Sequence, residues 1–229
     1  MGGQACVFYG AAQFSKDVDF ALLAGAENYA RLHSALLALE ASCIAVPRFD
    51  PAVLERGHAV HFRCQAPGVQ GLRVDVMTRL RDLAPFLELW ARRTTLTDDS
   101  GDSYDLLSVP DLVLAKKTQR DKDWPVITAL VDGHYHSLGG QPTPPRIDFW
   151  LREARTPELL TVLAARFPAE TQALLNSRPL LAHAIRGDLD AMRPLLDAEV
   201  RAEQAKDRAY WEPLRRELEA FPREEREAP

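Results

Sequence analysis

Two hydrophobic periods alternate through the first half of the chain, and only one of them persists into the second. His58–Gln65 (HAVHFRCQ) sets Val60, Phe62 and Cys64 against His61, Arg63 and Gln65, the two-residue period of a half-buried strand. Leu72–Met77 (LRVDVM) does the same, with Val74 and Val76 facing away from Arg73 and Asp75. The Ala66-Pro67-Gly68 to Gly71 turn between them predicts a hairpin. Asp17–Leu23 (DVDFALL) predicts a strand that sends Val18 and Phe20 into the core. Helices are predicted over Gly3–Ala12, over Ala26–Ala41 with Leu32, Ala35, Leu36 and Leu39 as its stripe, and over Leu83–Arg93. A short strand is expected at Ser103–Ser108. A helix then starts on Ser108 as N-cap with Pro110 in its first turn, where the missing N–H costs nothing. Asp123–Val131 predicts another helix, with His134-Tyr135-His136 beyond it in a loop-like stretch.

Past Arg146 strand signals almost vanish. Thr156-Pro157-Glu158 opens a helix, and Leu159, Leu160, Leu163 and Phe167 follow at helical spacing. Pro168, Pro179, Pro194 and Pro213 punctuate what comes after. The expected fold is therefore α/β (α+β): a small mixed sheet flanked by helices over residues 1–138, then an all-helical region over 146–222. The Gly139–Pro145 breaker cluster separates the two, and residues 223–229 are expected as a charged, disordered tail.

Composition narrows the function classes. The 229 residues are 46% hydrophobic and 27% charged, ordinary globular values that exclude collagen-like and wholly disordered chains. No run approaches the ~18 apolar residues of a membrane span. Met1-Gly2-Gly3-Gln4 has neither a basic region nor an apolar core, so a cytoplasmic location with no membrane partner is expected. Cys6, Cys43 and Cys64 are too far apart for a zinc ribbon or disulfide framework and are expected as reduced, small core residues. The net charge of −5 argues against a DNA-coating surface while leaving room for a local basic cleft.

The candidate chemistry lies in Ser15-Lys16-Asp17-Val18-Asp19-Phe20. Alternate strand residues share a face, so Asp17 and Asp19 present two carboxylates together. Like charges so close repel unless a cation lies between them, and oxygen-only ligands suit Mg2+ or Mn2+. Asp75 offers a third carboxylate if its strand pairs beside the first. Gly2-Gly3 precedes the pair by one short helix and lets backbone N–H groups approach an anion. Lys116, Lys117, Arg120 and Lys122 form a basic cluster, with Asp121 and Asp123 interleaved to pair with it.

The stretch GGQACVFYGAAQFSKDVDF resembles the signature of the nucleotidyltransferase superfamily, the DNA polymerase beta-like fold, and within it the AbiEii-like group associated with toxin–antitoxin systems. Ser108-Val109-Pro110-Asp111-Leu112 through Lys116 and Arg120-Asp121-Lys122-Asp123 is similar to a later segment of that family, so the resemblance spans roughly residues 2–131. It implies transfer of a nucleoside monophosphate from a nucleoside triphosphate (NTP) donor to an RNA, protein or small-molecule acceptor. Asp17, Asp19 and Asp75 would be both catalytic acids and ligands of Mg2+ or Mn2+. Gly2, Gly3, Ser15 and Lys116 would contact the phosphates. A cognate toxin or antitoxin partner is implied as well. Gln13 stands where relatives commonly have arginine. The alternative is a non-catalytic nucleotidyltransferase-fold binding protein or toxin–antitoxin component.

Overall fold

The computed structural model describes residues 1–221; the tail expected at 223–229 lies outside them. Its contacts divide the chain into two compact units. One holds Met1–Phe8, Ala12–Ala115 and the chain from Ala209 on; the other holds Tyr9–Ala11 and Lys116–Arg208. The protein is mixed α and β with small sheets, and its C-terminal region is helical.

The first unit runs α1 (Gly2–Phe8), β1 (Asp17–Ala21), α2 (Ala26–Ala38), β2 (Ser42–Cys43), α3 (Pro51–Arg56), β3 (Val60–Arg63), β4 (Arg73–Met77), α4 (Phe86–Ala91), β5 (Thr94–Thr97), β6 (Ser103–Leu106) and most of α5 (Val109–Lys116). Four strands form one sheet in the order β1-β4-β3-β2, with β1 parallel to β4 and the other pairs antiparallel. The predicted hairpin is present: Cys64 and Leu72 close the β3–β4 ladder around Gly68 and Gly71, both at positive φ. Alternation decides the two faces. Val60, Phe62, Val74 and Val76 point one way and pack with Tyr29 and Leu36 of α2 and Val53 and Leu54 of α3. That burial is the apolar stabilisation of the unit. The opposite face carries the charged residues.

Several local expectations are corrected. Phe20 does not enter the core but is 47% exposed, because β1 is an edge strand whose end is not covered by α2 and α3. Cys6 and Cys64 are buried, whereas Cys43 is only half-buried; all three are free thiols. The Ser103–Leu106 strand has a partner that the periodicity did not reveal. Thr94–Thr97 pairs with it antiparallel, around a turn in which the Asp98 carboxylate accepts from the N–H groups of Ser100 and Asp102. Ser108 caps α5 as expected, its Oγ lying 3.4 Å from the Asp111 N–H and donating to the Asp111 carboxylate at 2.6 Å.

The second unit is built on helices: α6 (Asp123–Leu138), α7 (Pro144–Glu153), α8 (Pro157–Arg166), α9 (Pro168–Leu174), α10 (Leu181–Arg186) and the first part of α11 (Leu189–Ala220). His134-Tyr135-His136 is helical, not a loop: α6 runs on past Val131 because Trp150 donates its indole N–H to His134 Nδ1 at 2.8 Å and anchors that turn. Burial lowers the His134 pKa below its usual value, with Arg146 adding to the shift. Trp150, Leu151, Leu160, Leu163, Leu181 and Met192 are fully buried. Alongside them runs an ionic network. Arg178, 5% exposed, donates to the carbonyls of Leu151 and Ala154 at 2.7 and 2.8 Å and pairs with Glu199. Arg155 joins Glu199 at 2.7 Å, and Lys117 joins Glu153 at 2.6 Å.

Candidate functional site

The strand register arranges six polar residues in two rows across one sheet face. Asp17, Arg73 and Arg63 lie opposite one another on β1, β4 and β3; Asp19, Asp75 and His61 form the next row. Neighbouring strands lie ~4.8 Å apart, so Asp75 shares its face with the Asp17–Asp19 pair. The three candidate acids are therefore gathered in the first unit.

The glycine turn packs directly on them. Gly2 has φ +64°, and a Cβ built there would fall 1.8 Å from Asp19 Oδ2. A Cβ on Gly3 would fall 2.2 Å from Ser15 Oγ. Only glycine allows this approach. The Gly3 N–H points at Asp19 Oδ2 at 3.4 Å, and the Met1 ammonium donates to the Asp19 carbonyl at 2.8 Å. Ser15 Oγ lies 3.0 Å from both Asp17 Oδ1 and the Asp17 carbonyl. Gly2, Gly3 and Ser15 are thus assembled around the paired acids.

Asp75 is 7% exposed, and its Oδ1 is already engaged. Arg73 Nε donates to it at 2.8 Å, and His61 Nδ1 lies 2.8 Å from the same oxygen. Burial raises the Asp75 pKa, but hydrogen bonds from His61 and Arg73 outweigh it and hold the carboxyl below its ordinary range. Arg73 in turn is raised, first by its bond to Asp75 and then, against the opposing effect of burial, by the fields of Asp75, Asp17 and Asp19. This guanidinium supplies a built-in counter-charge to the acids. The sequence reading placed Arg73 and His61 merely on polar strand faces. The signal that finds them is the hairpin register, which puts HFR opposite RVD.

No family model matches the chain, and no curated protein matches it.

Asp17 and Asp19 fit a divalent cation in donor chemistry, being hard oxygen ligands on one strand face. Asp75 fits less directly, since its Oδ1 is held by Arg73 and His61. Among the described residues, no group of three His, Cys, Asp or Glu side chains is disposed to hold a metal ion. Lys116 belongs to the second unit, where its ammonium lies 3.6 Å from Asp123. Arg120 pairs with Asp123 at 2.8 Å, and Asp121 accepts from Gln204 at 2.8 Å, so much of the basic cluster is met by local partners. Among the described residues no helix is long and apolar enough to cross a membrane.

A pocket that the sequence did not announce lies at the end of β1. Met1, Phe20, Phe86, Trp90, Arg93 and Asp105 are among the walls of this small, half-open depression. All of its lining belongs to the first unit. Phe86 stacks on Trp90 at 5.8 Å, and the Arg93 guanidinium lies 4.0 Å from the Trp90 ring centre. Arg93 Nε donates to Asp105 Oδ1 at 2.7 Å, and Thr95 Oγ1 donates to the same oxygen at 2.6 Å. These bonds, Thr95 first and Arg93 second, hold the Asp105 carboxyl below its usual range.

Proposed function

We propose that the protein is a metal-dependent nucleotidyltransferase of the cytoplasm, transferring a nucleoside monophosphate from an NTP to an RNA, protein or small-molecule acceptor. The observation that carries this reading is the contact of the Gly2-Gly3 turn with Asp19 and Ser15, each two residues from Asp17, with Asp75 opposite Asp19 on the next strand. Asp17 and Asp19 would hold Mg2+ or Mn2+, with Asp75 as third acid, its charge shared with Arg73 and His61. The ion, when bound, stabilises negative charge on the transferring phosphoryl group. Gly2, Gly3 and Ser15 would contact that group. The acceptor oxygen bonds to the α-phosphorus and loses its proton. The bond from α-phosphorus to the bridging oxygen breaks, and pyrophosphate leaves. A toxin–antitoxin partner is part of the same proposal.

The test is incubation with each labelled NTP, Mg2+ or Mn2+, total RNA and lysate protein. Label should appear in one acceptor class, and Asp19→Asn should lower that transfer by about a hundredfold or more. The Asn variant should also lose the rise in melting temperature that Mg2+ gives the wild type. Equal Mg2+-induced shifts in both proteins defeat the metal site.

A second reading, a non-catalytic binding protein on the same fold, is favoured by one observation. Arg73 already neutralises Asp75, and His61 lies within hydrogen-bond distance of the same oxygen, so part of the acid face is satisfied without an ion. It predicts nucleotide binding without label transfer.

A further inference from the structure

The ribbon of β5 and β6 takes no part in the chemistry of the acids. We propose that its β5 edge is a self-association surface, which pairs antiparallel with β5 of a second copy of this chain about a two-fold axis at Leu96. The proposal does not depend on the nucleotidyltransferase reading.

The turn sets which main-chain groups point outward. The Asp98 N–H donates to the Asp102 carbonyl at 2.9 Å, and the Gly101 N–H donates to the Asp98 carbonyl at 3.0 Å, with Gly101 at φ +88°. Hydrogen-bonded and non-hydrogen-bonded pairs alternate along an antiparallel ladder. Counted from Asp98 and Asp102, the bonded pairs are Leu96 with Tyr104 and Thr94 with Leu106. Thr95 and Thr97 therefore aim their N–H and C=O groups out of the β5 edge, and Ser103 and Asp105 aim theirs out of the β6 edge. No third strand joins this sheet, and among the described residues none of these outward groups takes a hydrogen bond.

Exposed edges are ordinarily guarded by a lysine, a proline, a bulge or a cover. β5, Thr94-Thr95-Leu96-Thr97, carries neither charge nor proline, and Thr95 and Thr97 are exposed. β6 is guarded: it holds Asp105, and Asp102 immediately precedes it, so self-pairing there would crowd carboxylates.

Three features name a second copy as the occupant of the β5 edge. The first is register. With Leu96 on the axis, Thr95 faces Thr97 of the second copy and Thr97 faces its Thr95, so every outward N–H meets an outward C=O. The second is side chains. Threonine lies against threonine, a favourable cross-strand pair, and the half-buried Leu96 meets its own copy. The third is charge. Arg92-Arg93 precede the strand and Asp98-Asp99 follow it, so antiparallel pairing brings the basic end of each strand to the acidic end of the other. Arg93, though paired with Asp105, keeps 33% of its side chain exposed, and Asp99 is exposed. Such a symmetric, self-complementary patch is what an isologous dimer requires. Two four-residue strands cover less than the ~1,200 Å2 of a standard interface, so the expected dimer is reversible and concentration-dependent.

The experiment is sedimentation equilibrium of the full chain over a range of concentrations, joined to cysteine trapping in a Cys43→Ser background. Wild type should pass from monomer to dimer as concentration rises. Thr97→Lys sets a charge on the exposed edge and should lose the dimer, whereas Ser103→Lys, on β6, should keep it. Across the axis the Leu96 Cα atoms of the two copies lie about 4.5 Å apart, so Leu96→Cys should give a covalent dimer on mild oxidation. Thr95→Cys should not, because its two copies lie beyond the ~7 Å that a disulfide spans. Melting curves accompany each variant, and Leu96→Cys against Thr95→Cys decides the register even if Thr97→Lys does not fold. A monomer at every concentration, with no trapping of Leu96→Cys, overturns the proposal. So does a dimer that survives Thr97→Lys, or trapping of Thr95→Cys as fast as that of Leu96→Cys.

Discussion

The two units handle charge and aromatic surface in opposite ways. In the second, the large rings of Trp124, Phe149, Trp150 and Phe167 are buried, and the buried ions are cross-linked through Arg178, Glu199, Arg155 and Glu153. Its exposed large apolar residues are aliphatic: Val162, Ile185 and Leu195. In the first unit, Phe8, Phe14, Phe20, Trp90 and Tyr104 remain exposed, and three carboxylates are lined up on a sheet face. Charges that close on themselves serve the fold. Rings that stay open to solvent add little to stability and make ligand contact available. This contrast is why the candidate site lies in the sheet-bearing unit.

The sharpest way to break the comparison is to treat the second unit's ions as functional. Arg178→Met should instead destabilise the protein by about 3–5 kcal/mol, because the carbonyls of Leu151 and Ala154 lose their buried donor and Glu199 is left with Arg155 alone. Denaturant unfolding measures this, and a loss below about 1 kcal/mol would show that the network is not structural.

Next is Gly2→Ala, which sharpens the site in the first unit. The methyl must displace Asp19 and adopt φ +64°, so a loss of about 1–3 kcal/mol is expected, along with weakened Mg2+ binding. Gly68→Ala, also at positive φ but in open space, should cost about 1 kcal/mol and leave Mg2+ binding intact. Equal Mg2+ responses in the two variants would remove the significance of the close approach.

The smallest effect is expected from Asp75→Asn, about 1 kcal/mol at neutral pH, since the amide oxygen still accepts from Arg73. Its signature is pH dependence. The folded Asp75 pKa is depressed, so its contribution is present above the unfolded value near ~3.9 and fades as pH falls through the folded value. Wild type and variant should converge in acid and separate toward pH 7. A gap that widens in acid would mean that Asp75 is held protonated.

Strand periodicity made β3, β4 and the central acids legible, because alternation along HAVHFRCQ and LRVDVM assigns each residue to a face without further knowledge. Pairing was not legible in the same way. Nothing within LRVDVM says that Arg73 turns onto its own neighbour Asp75, or that His61 arrives from the adjacent strand; both follow from a two-strand register. Thr94–Thr97 escaped because a four-residue threonine-rich strand carries almost no apolar signal. The pocket escaped for a different reason: Phe20, Trp90 and Asp105 come from three separate elements and meet only in the folded chain. The helical second half was readable from Leu159, Leu160 and Leu163, whereas its ionic network was not, since its members are spread from Lys117 to Glu199.

The counter-charge from Arg73 also shapes what the acid face looks like from a distance. Arg63 shares the row of Arg73 and Asp17, so three carboxylates stand against two guanidiniums on one small surface. Seen from beyond a Debye length of about 8 Å in physiological salt, that face is nearly a neutral patch. A polyanion diffusing toward it meets little repulsion until it is close enough to sense individual groups. Association should therefore vary only weakly with ionic strength, even though the chain as a whole carries a net charge of −5.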